Sequence, residues 1–348
     1  MTRTSTRKTR FDRAGAILPA VFAAALTCAP VGQATAQAPD SPRPDAAAAA
    51  TKPATQEPAS PNPSRVAPSR FGDRPADEAF GAFQRGLYLT ARNLALPRAE
   101  QGDAAAQTLL AEIYSRGLGV PRDPERAAEF YMKAAEQGVP EAQLQYALIL
   151  LRDKPDEAKK EKARTLMKAA ADAGNGHAEF NYAQLLISDR PGSQNTAQAY
   201  PYFLSAAQKG IPDAQYAVGQ FLANGTGGIE QDYAQARKWL EKAARQNFDT
   251  AQYEIGNWYL LGIGGDRDYK KAFAWSLRAA LAGNVAAQAA VAKLYWGALG
   301  TDPNEAEAAA WYVVARRAGL RDRALDDFWE GLTEEQQRAA IDRANQLR

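Results

Sequence analysis

Apolar and small residues recur along this chain at a nearly constant interval. With Gly102, Gly138, Gly174, Gly210, Asn247, Gly283 and Gly319 as marks, the intervals are 36, 36, 36, 37, 36 and 36 residues. Four positions after each mark stands alanine: Ala106, Ala142, Ala178, Ala214, Ala251 and Ala287. Eight after it comes an apolar residue (Leu110, Tyr146, Tyr182, Val218, Ile255, Val291). Nine after it comes a small one (Ala111, Ala147, Ala183, Gly219, Gly256, Ala292), and twelve after it a large one (Tyr114, Leu150, Leu186, Leu222, Tyr259, Tyr295). These offsets gather on one side of a helix.

A second helix follows with its own columns. Its first alanines are Ala127, Ala163, Ala199, Ala236, Ala272 and Ala308. Seven residues later come Ala134, Ala170, Ala206, Ala243, Ala279 and Ala315. Between them lies a bulky column (Phe130, Leu166, Tyr202, Trp239, Trp275, Trp311), read as knobs beside two sites of close backbone approach. Glycine pairs (Gly117 and Gly119, Gly225 and Gly227, Gly262 and Gly264) end the first helices with positive φ. The last unit keeps Gly300. Units two and three use Asp153-Lys154-Pro155 and Arg190-Pro191-Gly192 instead, and their turns are expected to be looser.

A two-helix unit of this size cannot bury its own apolar face, so the units must stack. The predicted fold class is all-α, an α/α superhelical solenoid. Six repeats occupy residues 102–318, starting at 102, 138, 174, 210, 247 and 283. An N-terminal capping hairpin covers residues 77–101 and C-terminal capping helices cover 319–348. In the latter, Thr333 and Gln336 form a capping-box signature.

The first 76 residues read differently. Five basic residues among the first thirteen precede an Ala-rich apolar run, Ala14 to Gly32, and then small residues at Ala34, Ala36 and Ala38. Residues 1–38 are expected to be a secretory signal peptide cleaved after Ala36 or Ala38, which places the protein in the periplasm or outside the cell. An uncleaved leader kept as a membrane anchor is the alternative. Lipidation at Cys28 fits poorly, with Ala25, Leu26 and Thr27 before it. Residues 39–76 are a Pro/Ala-rich linker expected to be disordered, read as a spacer or an inert tail. Cys28 is the only cysteine, so a chain without its leader has no disulfide, thiol nucleophile or thiolate metal site. The net charge of +2 comes from the leader, and the remainder is slightly acidic, with no nucleic-acid footprint.

These columns resemble the Sel1-like repeats, relatives of the tetratricopeptide repeat. The first unit carries the resemblance through Leu110-Ala111, Tyr114, Gly117-Leu118-Gly119-Val120, Asp123, Ala127, Phe130-Tyr131 and the run Lys133 to Gly138. The likeness extends over about residues 87–319. It implies a protein-interaction adaptor, and exported bacterial members are similar to envelope regulators and to secretion or polysaccharide-export scaffolds. Cysteine-rich members linked to β-lactam binding carry a cysteine pair per repeat, which this chain lacks.

Candidate chemistry is sparse. The one histidine, His177, sits at a position held elsewhere by Ala105, Glu141, Asp213, Thr250 and Ala286, and so reads as a solvated turn residue. No catalytic residue, cofactor-binding residue or metal ligand is assigned. The columns six and ten after the mark are more telling. In units three to five they pair aromatics with amides on one helix face: Phe180 with Gln184, Tyr216 with Gln220, Tyr253 with Asn257. Amides can bond an extended peptide backbone, and aromatics supply contact area. These six are the candidate partner-binding residues, with packing between neighbouring first helices as the alternative. The expected function is a non-catalytic protein- or peptide-binding adaptor or regulator of the cell envelope, using the concave face. A polysaccharide-export or glycan-binding scaffold is the alternative, and a cell-wall hydrolase is the weakest reading. A protein or peptide partner in the envelope is expected, with no nucleic acid and no cofactor.

Overall fold

The computed structural model describes residues 77–152, 154–189 and 193–347. The leader and linker expected over residues 1–76 lie outside the described residues. So do Asp153 and residues 190–192, in the two turns read as looser. An N-terminal hairpin of α1 (Glu78–Gln84) and α2 (Tyr88–Glu100) leads into six helix pairs. They are α3 (Ala104–Arg116) with α4 (Pro124–Glu136), α5 (Pro140–Leu151) with α6 (Glu157–Asp172), and α7 (Gly176–Asp189) with α8 (Ser193–Gln208). Then come α9 (Pro212–Asn224) with α10 (Tyr233–Arg245), α11 (Asp249–Leu261) with α12 (Tyr269–Leu281), and α13 (Val285–Trp296) with α14 (Glu305–Arg317). α15 (Arg323–Glu330) and α16 (Glu334–Gln346) close the chain. Among the described residues all regular structure is helical, and each helix packs on the next in order, which makes the α/α solenoid that the columns predict.

Local chemistry sets the helix ends. Second helices start on short polar side chains: Asp123, Asp156, Asp232, Asp268 and Asn304 each accept a backbone N–H of the first turn. They end at the marks. The six mark glycines adopt φ of 83 to 94°, and Asn247 is left-handed at 64°. The residue after each mark donates its N–H back across the last turn, as Val139 does to Ala134, Ile211 to Ala206 and Asn284 to Ala279. The capping box at Thr333 is formed, and α16 lays Ala340 and Ala344 against the last repeat.

The alanine columns are the seams. All six first-helix alanines and all twelve second-helix alanines are buried. Where the small column becomes glycine, backbones come closest. A Cβ at Gly219 would meet Leu240 at 3.0 Å, and one at Gly256 would meet the Ser276 hydroxyl at 2.6 Å. The sequence reading of the bulky second-helix column needs correction. Phe130, Leu166, Tyr202, Trp239 and Trp275 are only half-buried, and Trp311 alone is sealed. The core positions are the next residues: Tyr131, Met167, Phe203, Leu240, Ser276 and Tyr312, at 3% exposure or less. They lie four after the first alanine of each second helix and three before the second, sharing a buried face with both, while Trp239 and Trp275 stay half-exposed at its edge.

This interior leaves no room to grow. Ala243→Leu or Ala214→Leu overpacks a seam between units and costs about 1–3 kcal/mol. Thermal melts of the two variants check it, and midpoints equal to the parent's would contradict the seam assignment.

A polar column, unremarked in the sequence, crosses the same seams. Five after each mark stand Gln107, Gln143, Glu179, Gln215, Gln252 and Gln288, all buried. Each glutamine donates its side-chain N–H to a carbonyl in the last turn of the preceding second helix: Gln107 to Ala99 (3.0 Å), Gln143 to Ala135 (3.3 Å), Gln215 to Ala207 (3.2 Å), Gln252 to Ala244 (3.0 Å) and Gln288 to Ala280 (3.4 Å). Each of these carbonyls also accepts the backbone N–H of the following mark residue, so the glutamine supplies a second bond to it and ties successive units together. One further tie is local: Arg237, buried on α10, lies over the Tyr259 ring at 3.9 Å and donates to the carbonyls of Ile263 and Asp266 in the next unit's turn.

Candidate functional site

The first helices carry two kinds of column beyond the core. One points between neighbouring first helices, and the other stays open to solvent. Of the candidate aromatics, Tyr216 belongs to the first kind. Tyr216 is 8% exposed, with its ring 5.2 Å from that of Phe248 in the next unit. Phe180 is half-buried, edge-on to Phe203 at 5.7 Å. Tyr253 is half-buried against the apolar cluster of the last two repeats.

The amides divide in the same way. Gln184 and Asn257 are half-buried, and among the described residues neither side chain is hydrogen-bonded. Gln220 is committed: its Nε2 donates to both oxygens of Glu254, at 2.8 and 2.6 Å. The structure thus moves Tyr216 and Gln220 to the seam between units four and five. Phe180, Gln184, Tyr253 and Asn257 are left partly open on the first-helix face. The physical reason is the neighbour: Phe248 and Glu254 of the next unit reach Tyr216 and Gln220 and close over them.

That shift brings in a residue the sequence reading missed. Glu254 stands seven after its mark, where the other units have Leu109, Gln145, Asn181, Ala217 and Ala290. Its carboxyl is held above the ordinary glutamate range by burial, an effect partly offset by hydrogen bonds from Gln220, Tyr216 and Trp258. The Tyr216 phenol is pushed up in turn, by burial and by the Glu254 charge. The i,i+3 spacing to Asn257 could have placed Glu254 on the open face. Nothing in the sequence could have shown that the neighbouring repeat partly encloses it.

The rest of the surface offers little chemistry. His177 is exposed in the first turn of α7. Among the described residues no three His, Cys, Asp or Glu side chains gather where a metal could bind, and no helix is long and apolar enough to cross a membrane. A cavity of about 310 Å³ is lined wholly by α10, from Gln235 to Arg245, with the Lys242 ammonium 3.7 Å from the Trp239 ring centre. It is a furrow along one helix, not a point where functional groups from several elements converge.

The Sel1 repeat profile matches residues 104–139, 140–175, 176–211, 212–248, 249–284 and 285–320, each span beginning two residues after a mark. The chain belongs to the Sel1 repeat family. Sel1 repeats generally mediate contacts between proteins, and their fold is typically a binding scaffold without catalysis. No curated protein matches this chain. Among solved structures it is similar to a Sel1 repeat protein from Oxalobacter formigenes. Identity is 24%, the match covers 71% of this chain and 96% of that one, and the TM-score is 0.59. It is also similar to c5321, a protective antigen present in uropathogenic Escherichia coli strains displaying an SLR fold. There identity is 25%, coverage is 75% of this chain and 64% of that one, and the TM-score is 0.52. The 37-residue fourth unit of this Sel1 protein matches as residues 212–248, so its added residue is absorbed without loss of register.

Proposed function

We propose that this Sel1 protein is a non-catalytic adaptor or regulator of the bacterial cell envelope that binds an extended peptide segment of a partner protein. The binding surface is the first-helix face of units three to five. The observation that carries this is the juxtaposition, on one stack, of half-open aromatics (Phe180, Tyr253) with amides that are not hydrogen-bonded among the described residues (Gln184, Asn257). Free amides can both donate to and accept from a peptide backbone, and aromatic edges supply anchor area at small entropy cost. The envelope assignment rests on the basic start, apolar run and A-x-A spacing of the first 38 residues. N-terminal sequencing of the exported protein tests it, with cleavage after Ala36 or Ala38 as the expected result.

The face itself is tested with fluorescein-labelled random decapeptides and, in parallel, cell-wall glycan fragments. Peptides bind, and the double variant Phe180→Ala with Tyr253→Ala weakens them at least tenfold while cooperative thermal unfolding persists. Glycan binding without peptide binding, or loss of folding in place of loss of binding, would overturn the assignment.

A further inference from the structure

Among the described residues five glutamates are not exposed: Glu112, Glu179, Glu241, Glu254 and Glu307. Four of them have an arginine or lysine of the protein within 3.4 Å. Glu254 has none. Its carboxylate is met only by neutral donors, with Gln220 at 2.8 and 2.6 Å and the Tyr216 hydroxyl and Trp258 beside it. It stands on the first-helix face, one turn from the amide of Asn257.

We propose that Glu254 reads charge on this face, seating a lysine or arginine side chain of the extended segment that binds there. This rests on the peptide-binding reading and names the chemistry of its partner. Three considerations carry it. Within single repeats the buried column matches its members, amide with amide as Gln107 with Gln137 and Gln215 with Gln246, and its one acid, Glu179, with Lys209, whereas Glu254 is met across two repeats by the Gln220 amide and its charge stays unmatched. The neutral donors fix the carboxylate's orientation, and Glu254 is only half-buried, so part of it stays within reach of a ligand. An ion partly stripped of water and lacking a countercharge gains most from an arriving cation, because the lost hydration is already absent before binding.

The test uses the whole protein without its leader and four pools of fluorescein-labelled decapeptides. The pools are random except for a central residue fixed as lysine, arginine, norleucine or citrulline, and binding is read by anisotropy. The lysine and arginine pools are expected to bind about tenfold tighter than their neutral counterparts, and the difference should shrink as salt is raised. Glu254→Gln, which keeps an acceptor for Gln220, should bring the four pools to one affinity and leave the norleucine pool's affinity unchanged. If that variant fails to fold, the salt dependence of the parent's preference decides alone. Binding of all pools with no preference for the basic ones, or a preference that survives Glu254→Gln, would overturn this inference and leave the peptide-binding surface standing. Binding of no pool would remove both.

Discussion

Gly300→Ala is expected to lower the thermal midpoint by roughly 6–12 °C, corresponding to about 3 kcal/mol or more in a protein of this size. Two costs combine. Gly300 has φ +78°, which a side chain adopts only with strain of about 1–2 kcal/mol. Its Cβ would also be driven into the Tyr269 carbonyl, with the Lys270 nitrogen at 2.9 Å. Tyr269 opens α12, so the colliding atoms are backbone of the preceding unit and can yield only by parting two repeats. The same meeting recurs along the stack. The second glycine of each pair faces the start of the preceding second helix: Gly119 against Tyr88, Gly227 against Thr196 and Ala197, Gly264 against Tyr233. Gly283→Ala separates the two costs. Its φ is +94° but nothing lies within 4 Å of the added carbon, so it should lose only the strain. Equal midpoints for the two variants would show that the seam contact is not what makes Gly300 necessary.

Lys209→Met is expected to destabilise the protein by about 1–3 kcal/mol, and Glu179→Gln in the same chain should recover most of the loss. Glu179 occupies the buried glutamine column, with a side chain only 6% exposed. It accepts from the Lys209 ammonium at 2.5 Å and the Ser205 hydroxyl at 2.8 Å, and its other oxygen has no partner. The residue just before the following mark decides what the column can satisfy. Gln137 donates to Gln107 and Gln246 to Gln215. Ala282 and Ala318 stand at the same place beyond Gln252 and Gln288, whose amide oxygens are left unpaired. Unit three alone pairs an acid with a lysine. Removing the lysine strands a charge in the seam, whereas an amide at position 179 can donate to the Ala171 carbonyl as Gln215 does to Ala207. The loss stays below that of a fully buried pair because the lysine side chain is 40% exposed. Denaturant unfolding of the two single variants and the double variant gives the coupling, and a coupling near zero would count against the pair.

Much of the architecture was legible because a two-helix unit states its own period. The marks locate left-handed helix ends, the alanine columns locate the close approaches, and both are dictated by backbone sterics within one unit. The second-helix knobs were misplaced by one residue. Trp239 and Leu240 both sit between Ala236 and Ala243, and a helix turning 100° per residue gives neighbours nearly equal claim to that face. Only the partner helix separates them, and it takes the leucine. The candidate face fared similarly. Phe180, Gln184, Tyr253 and Asn257 stay partly open, whereas Tyr216 and Gln220 are drawn into the seam by Phe248 and Glu254, which belong to the next unit.

By itself, then, the sequence determined the repeat, its helix pairs, the turns that need glycine and the small residues at the seams, because each follows from geometry inside one unit of the chain. Which residues of a half-apolar face are closed over, which buried amide finds a donor, and which acid is left without a cation were decided only when the helices packed. Those properties belong to pairs of side chains on different helices, some within one unit and others in neighbouring units, and the spacing along a single helix shows only one member of each pair.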